Sequence, residues 1–320
     1  MRIGVFSVLF QDQPFEKAMD KVAAAGLTAV EIGTGGYPGS HHCPVDELLA
    51  SEAKRKAYLN VVETRGLIIS GFSCHYEPLS PDARLAKESD EIFRKTVRLA
   101  AQLEVPVVNV VSGLPGGAPG DKSPSWVTCP WPPHNLAMLD YQWNTVAIPY
   151  WRQAGAFAQE NGVKIAVEMH PGFLVYNVKS MLRLREAVGP VLGCNFDPSH
   201  LFWNGVDVPE AIRALGSAIH HVHGKDCVVD PINARVNGCN DPTPYDRIPE
   251  RSWTFRSLGY GHDAKTWRDI VSALRLVDYD YVISIEHEDA MMSSDEGLAK
   301  SVALLQEVVM AEKPGKMFWA

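Results

Sequence analysis

The chain has 320 residues, 46% of them hydrophobic and 21% charged, with a formal net charge of -8 and a pI near 5.8. This composition supports a large buried core and lacks the basic footprint of a phosphate-backbone binder, so nucleic acid is not an expected partner. No apolar stretch reaches the roughly 18 residues of a membrane span, and the opening residues carry no secretory pattern, so a cytoplasmic protein without a membrane partner is expected. Six cysteines without a CxxC pair are expected to be free thiols.

In chain order, strand and helix signals alternate. Residues 2–8 (RIGVFSV) read as a strand, and residues 14–26 (PFEKAMDKVAAAG) as an amphipathic helix with a proline at its start and a glycine at its stop. Residues 28–34 (TAVEIGT) are a second strand, 45–66 one long helix ending on glycine, and 67–76 (LIISGFSCHY) a third strand. A charged-faced helix over 80–105 with apolar residues at period 3.6 leads to a fourth strand, 106–113 (PVVNVVSG). Residues 113–143 then break the pattern with prolines and three tryptophans, a loop long enough to be functional, and the expectation is a packed lid. A helix over 145–162 restores the alternation.

Four further apolar runs follow, at 164–171 (KIAVEMHP), 192–200 (LGCNFDPSH), 219–226 (IHHVHGKD) and 281–289 (YVISIEHED), separated by helices over 177–189, 206–216 and 264–277 and followed by one over 293–312. Each run has the Val/Ile-rich character of a strand covered on both faces, where polar groups should be scarce. Residues 227–261 form a second irregular insert, with Trp253 and four arginines, expected on the same side as the first. Eight strand and eight helix signals predict an α/β chain, a single (β/α)8 TIM barrel over residues 1–320 with long insertions at its C-terminal face.

Each of the four later runs delivers a metal-type side chain as it ends: Glu168, Asp197, His223 and Glu286. In such a barrel the reacting groups sit at the carboxyl ends of the strands, so these four are expected to converge. Any one of them alone would read as a helix cap or an ion-pair partner. Three carboxylates and one imidazole make a hard set that suits one divalent cation, with manganese expected and magnesium or cobalt as alternatives. Glu168 and His170 are in phase along their strand and point the same way.

These residues resemble the xylose-isomerase-like barrel superfamily of sugar isomerases and epimerases, whose epimerases hold a metal with a Glu, an Asp, a His and a second Glu at the ends of the last four strands. The Asp-x-x-His of that family is present as Asp197 and His200. The resemblance implies proton abstraction beside the carbonyl of a keto-sugar, with Glu168 and Glu286 as acid and base and His200 and Lys225 orienting substrate oxygens. The Glu168/His170 pair, with HVHGKD and IEHED, resembles instead the catalytic subunits of C-glycoside deglycosidases. That branch implies His170 as the base in β-elimination from a 3-oxo-glycoside.

A small keto-sugar or 3-oxo-glycoside is therefore the expected partner, and the resemblance implies a homo-oligomer, with a small second subunit if the deglycosidase likeness holds. An abasic-site endonuclease and a non-catalytic sugar-binding barrel are the other readings. The first would need a basic groove that the composition lacks. The remaining histidines, His220, His221, His262 and His287, are expected to be structural. His41, His42, His75 and His134 fall on loops, and Trp126, Trp131 and Trp253 are expected to stack on a substrate or fill a lid core.

Overall fold

In the computed structural model, which describes residues 1–319, seven parallel strands follow one another around a ring. They are β1 (Arg2–Phe6), β2 (Ala29–Gly33), β3 (Ile68–Ser73), β4 (Val107–Val111), β5 (Lys164–Glu168), β6 (Leu192–Phe196) and β7 (Ile219–Gly224). The chain then makes an excursion through β8 (Asp226–Val229) and β9 (Trp253–Arg256), and returns as β10 (Val282–Ile285). β10 pairs with both β7 and β1 and closes the barrel. The fold is a (β/α)8 TIM barrel, as the alternation predicts.

Eight main helices cover it: α1 (Phe15–Ala24), α2 (Glu52–Glu63), α3 (Ala83–Gln102), α4 (Ile148–Glu160), α5 (Val178–Val188), α6 (Val208–Leu215), α7 (Ala264–Leu276) and α8 (Ser294–Val308). Six of them begin on a polar residue whose side chain accepts a first-turn backbone N–H: Ser51, Asp82, Asn177, Asp207, Asp263 and Ser293. Outward-facing strand residues such as Val30, Val108, Ile165 and Cys194 pack with buried helix residues such as Met19, Leu99, Met181 and Leu274 in one apolar cluster. This shell fixes the strands, and the strands fix the side chains at their ends.

The structure departs from the expected elements in four places. The helix expected over 45–66 is two, Val45–Ala50 and α2, because Ser51 is extended at φ -140° and caps the second through a bond from Lys54 N–H. The helix expected from residue 145 begins at His134 and runs through a π-helical stretch, Tyr141–Ala147, into α4. Pro149 follows that stretch and brings no N–H to the helical ladder, which is a recognised cause of such irregularity. Residues 113–133 remain irregular, tied down by the Gln142 amide, which donates to the Pro115 and Ser125 carbonyls.

The insert over 227–261 is more ordered than expected. Its β8 and β9 pair antiparallel, and Trp253 and Phe255 alternate inward onto Trp203 and Cys227. Trp203 and Trp253 stack 4.6 Å apart at 5°. Trp253 thus fills the insert's own core.

The fourth departure concerns the barrel interior. Polar groups are not scarce there: Glu31, Asn109 and Asn195, from alternate strands β2, β4 and β6, are fully buried with Ser73 and His221. They contact one another, Asn109 Nδ2 donating to Glu31 at 2.9 Å and His221 Nδ1 lying 3.1 Å from Asn195 Oδ1, while Asn109 Oδ1 is buried without a partner among the described residues.

Candidate metal centre and active site

The barrel brings the four expected ligands together. Glu168 ends β5, Asp197 directly follows β6, His223 lies near the end of β7 and Glu286 directly follows β10. These four strands are consecutive neighbours in the ring. One donor atom from each side chain lies within 4.8 Å of all the others. His223 Nδ1 is 3.3 Å from Glu168 Oε2 and 3.1 Å from Glu286 Oε2.

The residues fit a divalent cation on two observations. The donor set is three carboxylates and one imidazole, chemistry that suits magnesium, manganese or a similar ion. In addition, Asp197 Oδ2 is buried and accepts no well-directed hydrogen bond, although Lys225 Nζ and His200 Nε2 lie 3.0 and 3.2 Å away. The other oxygen of Asp197 is held by the Ser199 N–H at 2.8 Å, so the carboxylate is fixed with Oδ2 turned toward the cluster.

Lys225 and His200 lie against these carboxylates. Lys225 Nζ is 2.7 Å from Glu286, 3.1 Å from Glu288 and 4.7 Å from the centre of the Phe255 ring. Burial alone would depress its pKa, but Asp197, Glu286 and Glu288 outweigh burial and hold it as an ammonium. His200 Nε2 is 3.2 Å from both Glu168 and Asp197. Burial opposes its protonation, but the Asp197 charge raises its pKa to about 9.

His170 has the opposite character. Its ring is packed 4.0 Å from that of His200 and edge-on to Phe173. Nδ1 is 2.6 Å from the Pro171 carbonyl, so it carries the proton and Nε2 keeps the lone pair. Burial first, then the neighbouring His200 charge, push its pKa down to about 3, and the imidazole is neutral at physiological pH. A cavity of about 330 Å³ opens over these groups, lined by Glu168, His170, Lys225 and Glu286 together with His75 and Phe6. Asp197, His200 and His223 are buried against these groups and are not among its lining residues.

Two site residues were not legible in the sequence as such. His75, expected only as a loop histidine, places Nε2 3.2 Å from Glu168 Oε2. Glu31 is the larger omission. It is fully buried, and both its oxygens lie 3.1 Å from His223 Nε2, with further bonds from Ser73 and Asn109. Burial would raise its pKa, but the imidazoles of His223 and His221 hold the carboxyl far below its usual range. A carboxylate behind a ligating imidazole fixes which nitrogen carries the proton and leaves the other free for the metal. The sole signal was a lone acid between Val30 and Ile32 in the middle of an apolar strand.

Other histidines have ordinary structural partners. His220 Nδ1 donates to the Ile165 carbonyl, His262 Nδ1 is 2.8 Å from Asp226, and His287 lies 3.4 Å from Ser257. Trp126 packs edge-on against Tyr176 beside the first long loop, and Trp131 is exposed. Residues 113–143 supply none of the described side chains that line the metal-side cavity.

The family described as xylose isomerase-like TIM barrel matches residues 19–308. The chain is 40% identical over 299 residues to the uncharacterized protein YfiH of Bacillus subtilis (strain 168), covering 92% of this chain and 95% of that one. It superposes on the D-psicose 3-epimerase of Clostridium cellulolyticum H10, a structure containing D-tagatose, with a TM-score of 0.65, 14% identity and coverage of 96% and 98% of the two chains. It also superposes on a xylose isomerase-like TIM barrel protein from Mycobacterium smegmatis, solved in complex with magnesium, with a TM-score of 0.65, 18% identity and coverage of 97% of each chain. With the family matched over nearly the whole barrel, this chain is a member of the xylose isomerase-like TIM barrel family.

Proposed function

We propose that this protein is a divalent-metal-dependent enzyme that removes the proton beside the carbonyl of a keto-sugar, in the manner of a sugar isomerase or epimerase. The observation that carries the reading is the meeting of Glu168, Asp197, His223 and Glu286 within 4.8 Å, at the floor of a cavity that also presents His170 and Lys225. Similarity to a ketose epimerase and to a magnesium-containing barrel supports it.

When bound, a divalent cation supplies Lewis-acid polarisation of the ketone and lowers the cost of the enediolate charge. The chain's own residues do the rest. Glu168 and Glu286 are ionised, since His200 and Lys225 respectively hold them so, and each presents to the cavity a carboxylate that takes or returns the proton. Lys225 is a fixed ammonium at the cavity wall that donates to a substrate oxygen, while His200 holds Glu168 and Asp197 in place from beneath.

The geometry of His170 favours a second reading. With Nδ1 committed to Pro171, Nε2 keeps a lone pair on a side chain that lines the cavity, a base of the kind that β-elimination from a 3-oxo-glycoside needs. Manganese-loaded protein incubated in deuterium oxide with a free ketose and, separately, with a 3-oxo-glucoside tests both. Deuterium should enter beside the ketone, with rates in Glu168→Gln and Glu286→Gln reduced at least about 100-fold. Release of the glycosidic group that is abolished in His170→Ala selects the lyase; epimerisation at the normal rate in that variant selects the epimerase. Absence of exchange from both compounds refutes the proposal.

A further inference from the structure

A second cavity, of about 450 Å³, adjoins the first and shares His170 and Glu288 with it. Its character is different. The sugar-sized space over the metal residues is ringed by acids, imidazoles and an ammonium, whereas the annex is walled by Tyr245, Ile248 and Phe255 from the 226–256 excursion and by Met291 from the segment after β10.

Two observations connect this annex to the chemistry. Phe255 belongs to both: it meets the His200 ring edge-on at 5.4 Å, carries Lys225 Nζ 4.7 Å from its centre, and stacks on Tyr245 at 5.8 Å and 21°. One aromatic ring therefore touches both the charged groups of the centre and the apolar space. The platform is also braced from behind, by Arg251 over the rings of both Tyr245 and Trp253 and by Trp253 stacked on Trp203. At the rim, Tyr245 and Met291 are 57% and 60% exposed, large apolar surface left open beside a polar cavity.

We infer that the substrate is a keto-sugar bearing an apolar, ring-sized substituent, which lies in the annex against Tyr245, Phe255, Ile248 and Met291 while the sugar lies over the metal residues. The inference rests on the keto-sugar reading and deepens it. A free ketose has no group to place there: its hydroxyls would be desolvated against apolar walls without partners. An aryl substituent buries apolar area at no such cost and gains face contact with the Tyr245 and Phe255 rings. His170 and Glu288, at the neck, flank the bond between sugar and substituent.

Calorimetry on manganese-loaded protein with methyl and phenyl 3-oxo-glucosides, paired with deuterium exchange on each, tests this. The phenyl compound should bind at least about tenfold more tightly, the scale expected for burying one aromatic ring. In Ile248→Ser/Met291→Ser, both outside the buried core, that ratio should fall toward one; Tyr245→Ala provides a second, independent reduction. Equal affinity of the two compounds for the native protein, with exchange observed on both, overturns the inference and leaves the keto-sugar reading standing. Absence of exchange on both overturns the reading and the inference with it. A ratio unchanged in the double variant and in Tyr245→Ala also overturns it, since the preference would then arise elsewhere.

Discussion

At the scale of single residues, each charged group of the candidate centre has a partner that sets its state. Glu31 does this for His223: its two oxygens at 3.1 Å from Nε2 leave Nδ1 directed at Glu168 and Glu286. Replacing Glu31 by Gln keeps the shape and removes the charge, and the expected result is a roughly 10–100-fold weaker manganese affinity by calorimetry, with unchanged far-ultraviolet circular dichroism. Unaltered affinity would assign Glu31 to packing alone. The convergence of the four candidate ligands was legible in the sequence because each stands at the end of an apolar run, and the barrel brings those ends together. Glu31 was not, because its meaning depends on contact across the barrel with a strand 192 residues away. His170 was legible as a candidate by its phase with Glu168, but its neutrality needed the Pro171 carbonyl and the His200 ring in place.

Elements are held by local devices, some readable and some not. Ser51 interrupts what looks like one amphipathic helix, and only its capping bond from Lys54 N–H explains the break. Ser51→Ala should cost about 1 kcal/mol and lower the melting temperature by about 2 °C in a thermal scan; no change would mean that the break is imposed by packing. The seam between β5, β7 and α5 contains His220, whose Nδ1 donates to the Ile165 carbonyl and whose Nε2 faces Arg185. Burial lowers its pKa to about 4, against an ordinary value near 6.5. The folded pKa is the lower one, so the stabilisation is present above about pH 6.5 and is lost as pH falls through about 4, amounting to an order of 2 kcal/mol for this partly exposed group. Nuclear magnetic resonance should show no titration of this imidazole between pH 5.5 and 8, and a midpoint near 6.5 would contradict its assigned environment. The excursion over 226–256 looked irregular because its order depends on Trp203, which lies in another part of the chain and provides the surface on which Trp253 stacks.

For the whole molecule, closure of the ring is what turns residues spread over 119 positions, from Glu168 to Glu286, into one centre. The alternation of eight strands and helices made that closure legible, since each apolar run needs helices on its outer face and each helix needs a strand to cover. The polar layer inside the barrel was hidden because isolated polar residues in apolar strands say nothing of one another until the strands meet. If the four ligands bind a cation in the folded state only, manganese at about 100 times its dissociation constant should stabilise the protein by about 2.7 kcal/mol, with exhaustive chelation reversing the gain. The most direct measurement is the anomalous difference density of manganese in crystals of this protein. One peak within about 2.0–2.3 Å of donor atoms from Glu168, Asp197, His223 and Glu286 together is the predicted result. A manganese peak bound elsewhere, or none at these four residues at saturating manganese, would contradict the account.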